Sequence, residues 1–376
     1  MSFFAILENL LEEPQIRFDS TKCRKVNYAD YVCDECIRVC PFQAIENSSE
    51  MKVTAQNCDA CGLCAGICPG EAFSLEKPSY AQLAAEALEK LQITFTCQRN
   101  QYLGAATVPC LGYLPETLLM GFVLSCDRVR FLFDAKRCAS CSRQAGPLIE
   151  ERLGWVKELA FRFGKAGVVL FDDGKQDEVI SRGEFFAFLK TRTKTLADRL
   201  PTPLTEKVQE EGVNKKSLPA SRKLFLNMVS RDTEGNDLPT PEPVLVSGEN
   251  RPFSQIQVNN SCSGCADCTI FCPTGALRVE NKGEAQELLH TAALCLNCGV
   301  CRVKCPQQAI SKSEVLDLSL VITGASTLVK SLSASLCVRC GRPVHVTEPY
   351  QPTELCRLCE QESRLRLHSK KLMLNF

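Results

Sequence analysis

The stretch that decides the fold is CDACGLCAGICPG, residues 58–70. Its cysteines follow the spacing C-x2-C-x2-C-x3-C-P, which suits four thiolates arranged around an iron–sulfur cubane. The same spacing returns in two further runs, at Cys262, Cys265, Cys268 and Cys272 and at Cys295, Cys298, Cys301 and Cys305. Chance does not set three complete copies in one chain, so the sequence predicts an iron–sulfur protein.

A fourth run, CDECIRVCP at residues 33–41, lacks the first cysteine of the pattern. The position expected for that cysteine holds Asp30. Two interpretations are open: Asp30 supplies a carboxylate ligand, or Cys23 reaches the cluster across a loop of nine residues. The segment 18–23 resembles the strand and lead-in found ahead of the first ligand in bacterial ferredoxins, which favours Cys23.

The runs are expected to work in pairs, because the cysteine before proline ligates the other cluster of a two-cluster unit. Residues 18–80 and 251–313 accordingly resemble bacterial ferredoxins with two [4Fe–4S] clusters. We expect the alanine three residues after each proline to let a following short helix pack close to the cluster. The expected ligand sets are site 1 (Cys23, Cys33, Cys36 and Cys68), site 2 (Cys40, Cys58, Cys61 and Cys64), site 3 (Cys262, Cys265, Cys268 and Cys305) and site 4 (Cys272, Cys295, Cys298 and Cys301).

Residues 81–190 alternate strand-like and helix-like patterns, which favours a small α/β domain with a mostly parallel sheet. We expect strands over 93–96, 105–108, 129–133 and 168–171, and helices over 115–123 and 147–163. Four cysteines follow expected strands and should meet at the carboxyl edge of the sheet, where open α/β sheets put their ligands. These are the central site: Cys97, Cys110, Cys138 and Cys141. Cys126 precedes a strand and should lie at the opposite edge.

The central region resembles a known family in the motif VPCLGYLPE at residues 108–116, followed by Cys138-x2-Cys141. It is similar to the delta subunits of methyl-viologen-reducing hydrogenases. The resemblance implies a further cluster, favoured as [2Fe–2S], and electron transfer between a hydrogenase or formate dehydrogenase and a heterodisulfide-reductase-like flavoprotein. This chain departs from the family in having the single Cys97 where the family has paired cysteines. Buried free cysteines are the structural alternative, and we expect the site to lie between the two ferredoxin-like units.

Three further segments complete the expected layout. Residues 1–17 should form an amphipathic helix, and residues 191–250 a proline-rich charged linker. A short helix over 220–230 interrupts that linker, and its apolar edge should dock on its own chain, with a partner protein as the alternative. Residues 314–376 form a zinc-ribbon-like element and a basic tail. Its four thiolates suit zinc, with iron as the alternative; they are Cys337, Cys340, Cys356 and Cys359.

Charge and composition limit the function classes. Lys plus Arg equals Asp plus Glu at 44 each, so no overall field recruits nucleic acid or a membrane surface. No apolar run is long enough to span a bilayer. The N-terminus has no basic region or cleavage site typical of a secretory signal. We expect a cytoplasmic protein of an anaerobic or strongly reducing setting.

The sequence also lacks a dinucleotide fingerprint, a P-loop, an H-E-x-x-H motif and a nucleophile elbow. We therefore expect a multidomain α+β chain that acts as a non-catalytic electron-transfer subunit of an oxidoreductase complex. Four [4Fe–4S] cubanes and the central cluster would carry electrons between protein partners. Two alternatives stay open: a redox-sensing or assembly protein that uses clusters and a zinc ribbon, and a reductase acting at the central site.

Overall fold

A computed structural model describes residues 16–28, 30–47, 51–100, 102, 104–172, 216–233, 244–245, 252–282, 285–340, 343–346, 355, 359 and 362. Most of the helix expected over 1–17 therefore lies outside the described residues. Its last two residues, Ile16 and Arg17, belong to a strand. Strand pairing outcompetes the helical pattern there, because Ile16 faces Leu75 in an antiparallel ladder.

The first ferredoxin-like unit is built from short elements in two similar halves. They are β1 (Ile16–Phe18), α1 (Arg24–Asn27), α2 (Glu35–Val39), β2 (Ile45–Asn47), β3 (Met51–Val53), α3 (Leu63–Ile67) and β4 (Phe73–Leu75). β1 pairs antiparallel with β4, and β2 with β3. The first and last strands thus close the unit, and the cysteine runs lie between them.

The segment after each Cys-Pro is a strand, so the expectation of a short helix there is wrong. β2 begins directly after Ala44, and β4 directly after Ala72. The residue before each alanine has a left-handed backbone, with φ of 50° at Gln43 and 51° at Glu71. This turn sends the chain back across the unit in extended form. Both alanines are almost fully buried, and their amide nitrogens lie close to Sγ of Cys40 and of Cys68.

The central region forms the expected parallel sheet. Its elements are α4 (Tyr80–Lys90), β5 (Gln92–Cys97), β6 (Ala106–Val108), α5 (Glu116–Ser125), β7 (Arg128–Leu132), α6 (Ala135–Ala139), α7 (Gly146–Arg162) and β8 (Val169–Asp172). The strand order is β6-β5-β7-β8, and every pair is parallel. Phe95 and Phe131 stack at the middle of the sheet with no exposed surface, so this region has a core of its own.

The first unit and the central sheet meet backbone to backbone. A Cβ placed on Gly66 of α3 would lie 2.3 Å from the carbonyl oxygen of Gly112, which leaves no room for a side chain. The buried guanidinium of Arg152 donates to the carbonyl oxygens of Gly66 at 2.8 Å and Gly112 at 2.7 Å. One side chain therefore satisfies carbonyls on both sides of this contact.

The helix expected in the linker is present as α8 (Ala220–Thr233), and it docks on its own chain as predicted. Phe225 and Met228 are buried, and α8 packs against α5. Its first turn is held by the first unit, because the Glu71 carboxylate accepts from the amides of Ala220 at 2.7 Å and Ser221 at 3.0 Å. The rest of the expected linker, apart from residues 216–219 and 244–245, lies outside the described residues.

The same helix reaches the second unit through Arg222, which is fully buried. Its guanidinium donates to the carbonyl oxygens of Ala293 at 2.8 Å and of Pro252, and lies 3.8 Å from the centre of the Phe253 ring. Burial lowers the pKa of Arg222 to about 9. The hydrogen bonds to the two carbonyls and the contact with the ring replace the hydration that the guanidinium loses on burial.

The second unit repeats the plan of the first and continues into the C-terminal strands. The elements are β9 (Val244–Leu245), β10 (Ile256–Val258), α9 (Asp267–Ile270), β11 (Leu277–Lys282), β12 (Ala285–Thr291), α10 (Val300–Val303), β13 (Ile310–Lys312), β14 (Val315–Leu316), α11 (Leu318–Thr323), β15 (Ser326–Leu336) and β16 (Pro343–Val346). β10 pairs with β13 and β11 with β12. β15 joins β12, and β16 joins β15, so the C-terminal strands enlarge the sheet of the second unit. Among the described residues, no helix is both long and apolar enough to cross a bilayer.

Replacing Glu71 should loosen α8. Glu71→Ala leaves the buried amide of Ser221 and the part-buried amide of Ala220 without their acceptor, and loss of the acceptor of a buried amide costs about 1–3 kcal/mol. We expect a lower urea midpoint by circular dichroism and faster protease cleavage within 216–233. Glu76→Gln is the matched control: its ion pair with Arg17 is exposed, so stability should change by less than about 0.5 kcal/mol. Equal effects of the two substitutions would contradict this role of Glu71.

Candidate metal centres

Site 1 is assembled around Cys23. Cys23, Cys33, Cys36 and Cys68 line one small cavity. Burial, and then the neighbouring charges of the other three thiols, raises the pKa of Cys36 to about 12. Asp30 is elsewhere: its carboxylate is 2.9 Å from the ammonium of Lys304, and its side chain is 80% exposed. The structure therefore brings Cys23, and not Asp30, to the other three cysteines.

Site 2 gathers the fourth cysteine of the first run with the first three of the second. Burial, and then the charges of Cys61, Cys58 and Cys40, raises the pKa of Cys64. The charge of Cys36 acts on the same thiol. Sites 1 and 2 are therefore neighbours within the first unit.

The second unit holds sites 3 and 4 in the same relation. All four cysteines of site 3 line one cavity. In site 4, burial and then the charges of Cys298 and Cys272 raise the pKa of Cys295 to about 12. Burial raises the pKa of Cys301, and so do the charges of Cys295, Cys298 and Cys272. The charge of Cys268, which belongs to site 3, raises it as well. Each expected set of four thus converges, and the two sets adjoin.

Backbone amides support the sulfur atoms of these sites. The amide of Ala44 donates to Sγ of Cys40 at 3.3 Å, and that of Ala72 donates to Sγ of Cys68 at 3.4 Å. In the second unit, Ala309 donates to Sγ of Cys305 at 3.3 Å. Such bonds stabilise negative charge on a sulfur ligand and tune a cluster's potential. The repeated Cys-Pro-x-x-Ala motif is the sequence pattern that accompanies this contact between the alanine amide and the cysteine sulfur.

A buried arginine beside site 1 also fits an anionic group. Arg24 lines the cavity of site 1, and its Nε and Nη1 atoms have no hydrogen-bond partner among the described residues. A buried guanidinium with unused donors is costly unless negative charge lies near it. A cluster with four thiolates supplies that charge. No sequence motif marks this residue beyond its place after Cys23.

The central site also converges, at the carboxyl edge of the parallel sheet. Its four cysteines line a cavity of about 270 Å³. Burial, and then the charges of Cys97 and Cys141, raises the pKa of Cys138 to about 11. α7 begins beside it, since a Cβ on Gly146 would lie 3.5 Å from Cβ of Cys138. The free amides of that helix start favour an anion nearby.

Two arginines link the central site to site 2. Asp59, next to Cys58, accepts from Nε of Arg143 at 2.6 Å and lies 3.6 Å from Arg99. Arg99 in turn donates to Sγ of Cys141 at 3.5 Å. The spacing of the cysteines did not indicate these arginines, because each reaches its partner only through the tertiary fold.

The central site does not lie between the two ferredoxin-like units, so that expectation is wrong. Its cavity is lined by described residues from 97 to 149 alone. The units face each other elsewhere, across a cavity of about 450 Å³ that Cys33 and Cys298 both line. Tyr31 stands between them: burial, then the charges of Cys298 and Cys33, raises its pKa. The order along the chain differs from the order in space because the first unit packs on both neighbours.

Cys126 lies away from these sites, as its place in the sequence predicts. It is buried, and its Sγ is 3.8 Å from the carbonyl oxygen of Ala87 on α4.

The C-terminal site is described in part: the ligand atoms of Cys337, Cys340 and Cys359 lie within 4.8 Å of one another. Cys356 is outside the described residues.

The turns, the thiolate sets and the amide-to-sulfur contacts define a ferredoxin-type iron–sulfur protein. Residues 261–309 match the family model of the 4Fe–4S dicluster domain. The chain is 35% identical over 66 residues to pyruvate synthase subunit PorD of Methanocaldococcus jannaschii, covering 18% of this chain and 73% of that one. PorD of Methanothermobacter marburgensis is 30% identical over 64 residues, covering 17% and 70%.

By this similarity the chain belongs to the ferredoxin-type 4Fe–4S family that includes these PorD subunits. It binds [4Fe–4S] clusters and transfers electrons. Most of this chain lies outside the aligned stretch, since 18% of it is covered.

Substitution of Cys23 and Asp30 tests site 1. Cys23→Ala removes one of four thiolates, so we expect one cubane to be lost or degraded to a three-iron form. Asp30→Ala should keep the iron content, because that carboxylate faces Lys304. Iron analysis and electron paramagnetic resonance (EPR) of anaerobic protein measure both. Cys126→Ala is the control for loss of a buried thiol, and a reversed result for Cys23 and Asp30 would overturn the assignment.

Proposed function

We propose that this chain is an electron-transfer subunit that relays electrons through four [4Fe–4S] cubanes and a central cluster between partner oxidoreductases. Sites 1 to 4 are the proposed cubane ligand sets, and the central site holds the further cluster, favoured as [2Fe–2S]. The C-terminal thiolates hold zinc or iron. The clusters supply one-electron redox chemistry, and the chain's own residues hold them, shield them from water and set their spacing.

The observation that carries this proposal is the adjacency of the thiolate sets. The charge of Cys36 in site 1 raises the pKa of Cys64 in site 2, and the charge of Cys61 in site 2 raises the pKa of Cys110 in the central site. Site 1, site 2 and the central site therefore follow one another. Sites 3 and 4 adjoin in the second unit. Electron transfer between proteins needs closely spaced centres, because tunnelling falls steeply with distance. A storage or sensing role does not require such spacing.

The proposed partners are a hydrogenase, a formate dehydrogenase or a heterodisulfide-reductase-like flavoprotein. The motif around Cys110 and the Cys138-x2-Cys141 pair support this, since the family they resemble works with such enzymes. The likeness to PorD supports a place in a multi-subunit complex, because that relative is by name a subunit of pyruvate synthase. We propose a cytoplasmic location and no nucleic-acid partner.

One observation favours a second candidate, a reductase acting at the central site. The cavity there has about 270 Å³, whereas the cavities of sites 1 and 3 have about 20 Å³ each. Space beyond a cluster would admit a small molecule beside Arg99 and Arg137, which line it. Steady-state turnover of a small oxidant by the isolated chain, lost on changing Cys138 and Cys141, would favour this candidate over the relay.

Metal analysis of the anaerobically purified chain tests the relay. Four cubanes require about 16 iron atoms per chain, and the central cluster adds to this number. About eight iron atoms would mean that one ferredoxin-like unit carries no clusters, which contradicts the proposal.

Removal of the central cluster tests its place in the relay. Cys138→Ala with Cys141→Ala should leave the cubanes reducible by dithionite, as seen by EPR. The same variant should stop electron transfer between donor and acceptor in the reconstituted complex. Cys126→Ala should transfer electrons normally, because its thiol lies at the other edge of the sheet. Full transfer by the double variant would exclude the central site from the path.

A further inference from the structure

The irregular first run contains a loop that ordinary ferredoxin spacing does not need. Nine residues separate Cys23 from Cys33, where the other runs have two residues between their first cysteines. We call residues 24–32 the bridging loop. It begins with α1 and then presents Tyr28, Asp30 and Tyr31. The ligand set of site 1 explains why Cys23 is used, and it does not explain why the loop is long.

Three side chains of the bridging loop contact the second unit. The hydroxyl of Tyr31 donates to the carbonyl oxygen of Cys298, and that of Tyr28 donates to the carbonyl oxygen of Phe271 at 3.1 Å. The rings of Tyr28 and Phe271 meet edge to face with centres 6.2 Å apart. Asp30 pairs with Lys304 at 2.9 Å. The loop therefore docks on the α9 and α10 ends of the second unit.

These contacts end on the residues that hold site 4. Cys298 belongs to that site, and Phe271 is covalently joined to Cys272, which also belongs to it. On the other side, Tyr31 is two residues from Cys33 of site 1. A path of covalent bonds with one hydrogen bond, from Tyr31 to the Cys298 carbonyl, thus connects the two ligand sets. Electron tunnelling is favoured along such bonded paths compared with gaps of open space.

We propose that the bridging loop couples site 1 to site 4, so that the two ferredoxin-like units form one continuous electron path. This inference rests on the proposed relay function. It gives the path a definite order: central site, site 2, site 1, site 4, site 3. The central site is then one end of the path and site 3, where Cys265 is exposed, is the other. A partner at each end would exchange electrons through the whole chain.

The order has a magnetic consequence that does not depend on enzymatic activity. Reduced cubanes are paramagnetic, and neighbouring ones broaden each other's EPR signals and speed each other's relaxation. We would compare wild type with Tyr28→Ala/Tyr31→Ala after dithionite reduction. Both tyrosines are half-buried contacts between units and not core residues, so the variant should keep its iron content. We expect the interaction between the two units to weaken, because the variant breaks the bonded path that carries exchange between sites 1 and 4, and the interaction within each unit to stay unchanged.

Two further variants make the test decisive. Cys138→Ala/Cys141→Ala should keep the interaction between units, because the central site is placed at the end of the path. Tyr102→Ala, an exposed tyrosine of the central region, should behave as wild type. The inference is overturned if the tyrosine double variant keeps the interaction, or if the central double variant loses it. Absence of four-iron signals in wild type would instead reject the proposed function itself.

Discussion

The arrangement of the metal sites depends on an exchange of ligands between the two halves of each ferredoxin-like unit. Each site takes three cysteines from one half and the fourth from the other half. Cys68 therefore returns to Cys23, Cys33 and Cys36, while Cys40 crosses to site 2. Both runs must lie within the width of a cluster, and this requirement explains the tight turn after each Cys-Pro. The left-handed residue before the alanine reverses the chain and aims an amide at the sulfur. The closing strand pair β1–β4 then fixes the ends.

Units of this size bury little apolar surface by themselves, and small domains usually need metals or partners for stability. Here the neighbours contribute through buried polar contacts. Arg152 joins the first unit to the central sheet, and Arg222 joins α8 to the second unit. Glu71 has two roles, since its backbone forms the turn after Cys68 and its carboxylate accepts hydrogen bonds from the first amides of α8. Cluster geometry and inter-unit packing are therefore linked at one residue.

Local chemistry could be predicted from the sequence, and long-range placement could not. Cysteine spacing predicted which thiols converge, because ligand turns are set by neighbouring residues. The parallel sheet followed from the alternation of patterns, and Cys126 was placed correctly because it precedes its strand. The central site was expected between the units and is not there, since packing order is decided by surfaces such as the Gly66 contact. Tyr31 and Arg143 carry no motif, because their partners are far away in the chain.

The two junctions of the first unit differ in their mechanical character. Towards the central sheet, the backbone at Gly66 touches the backbone at Gly112, and any sliding would break the bonds of Arg152. Towards the second unit, the direct contact consists of side-chain tips and an exposed carboxylate paired with Lys304, and α8 joins the two units beside it through buried contacts. Screening by salt weakens an exposed ion pair and leaves a packed backbone contact unchanged. Raised ionic strength therefore weakens the Asp30–Lys304 pair alone, while the tyrosine contacts, the buried helix α8 and the junction with the central sheet keep their strength.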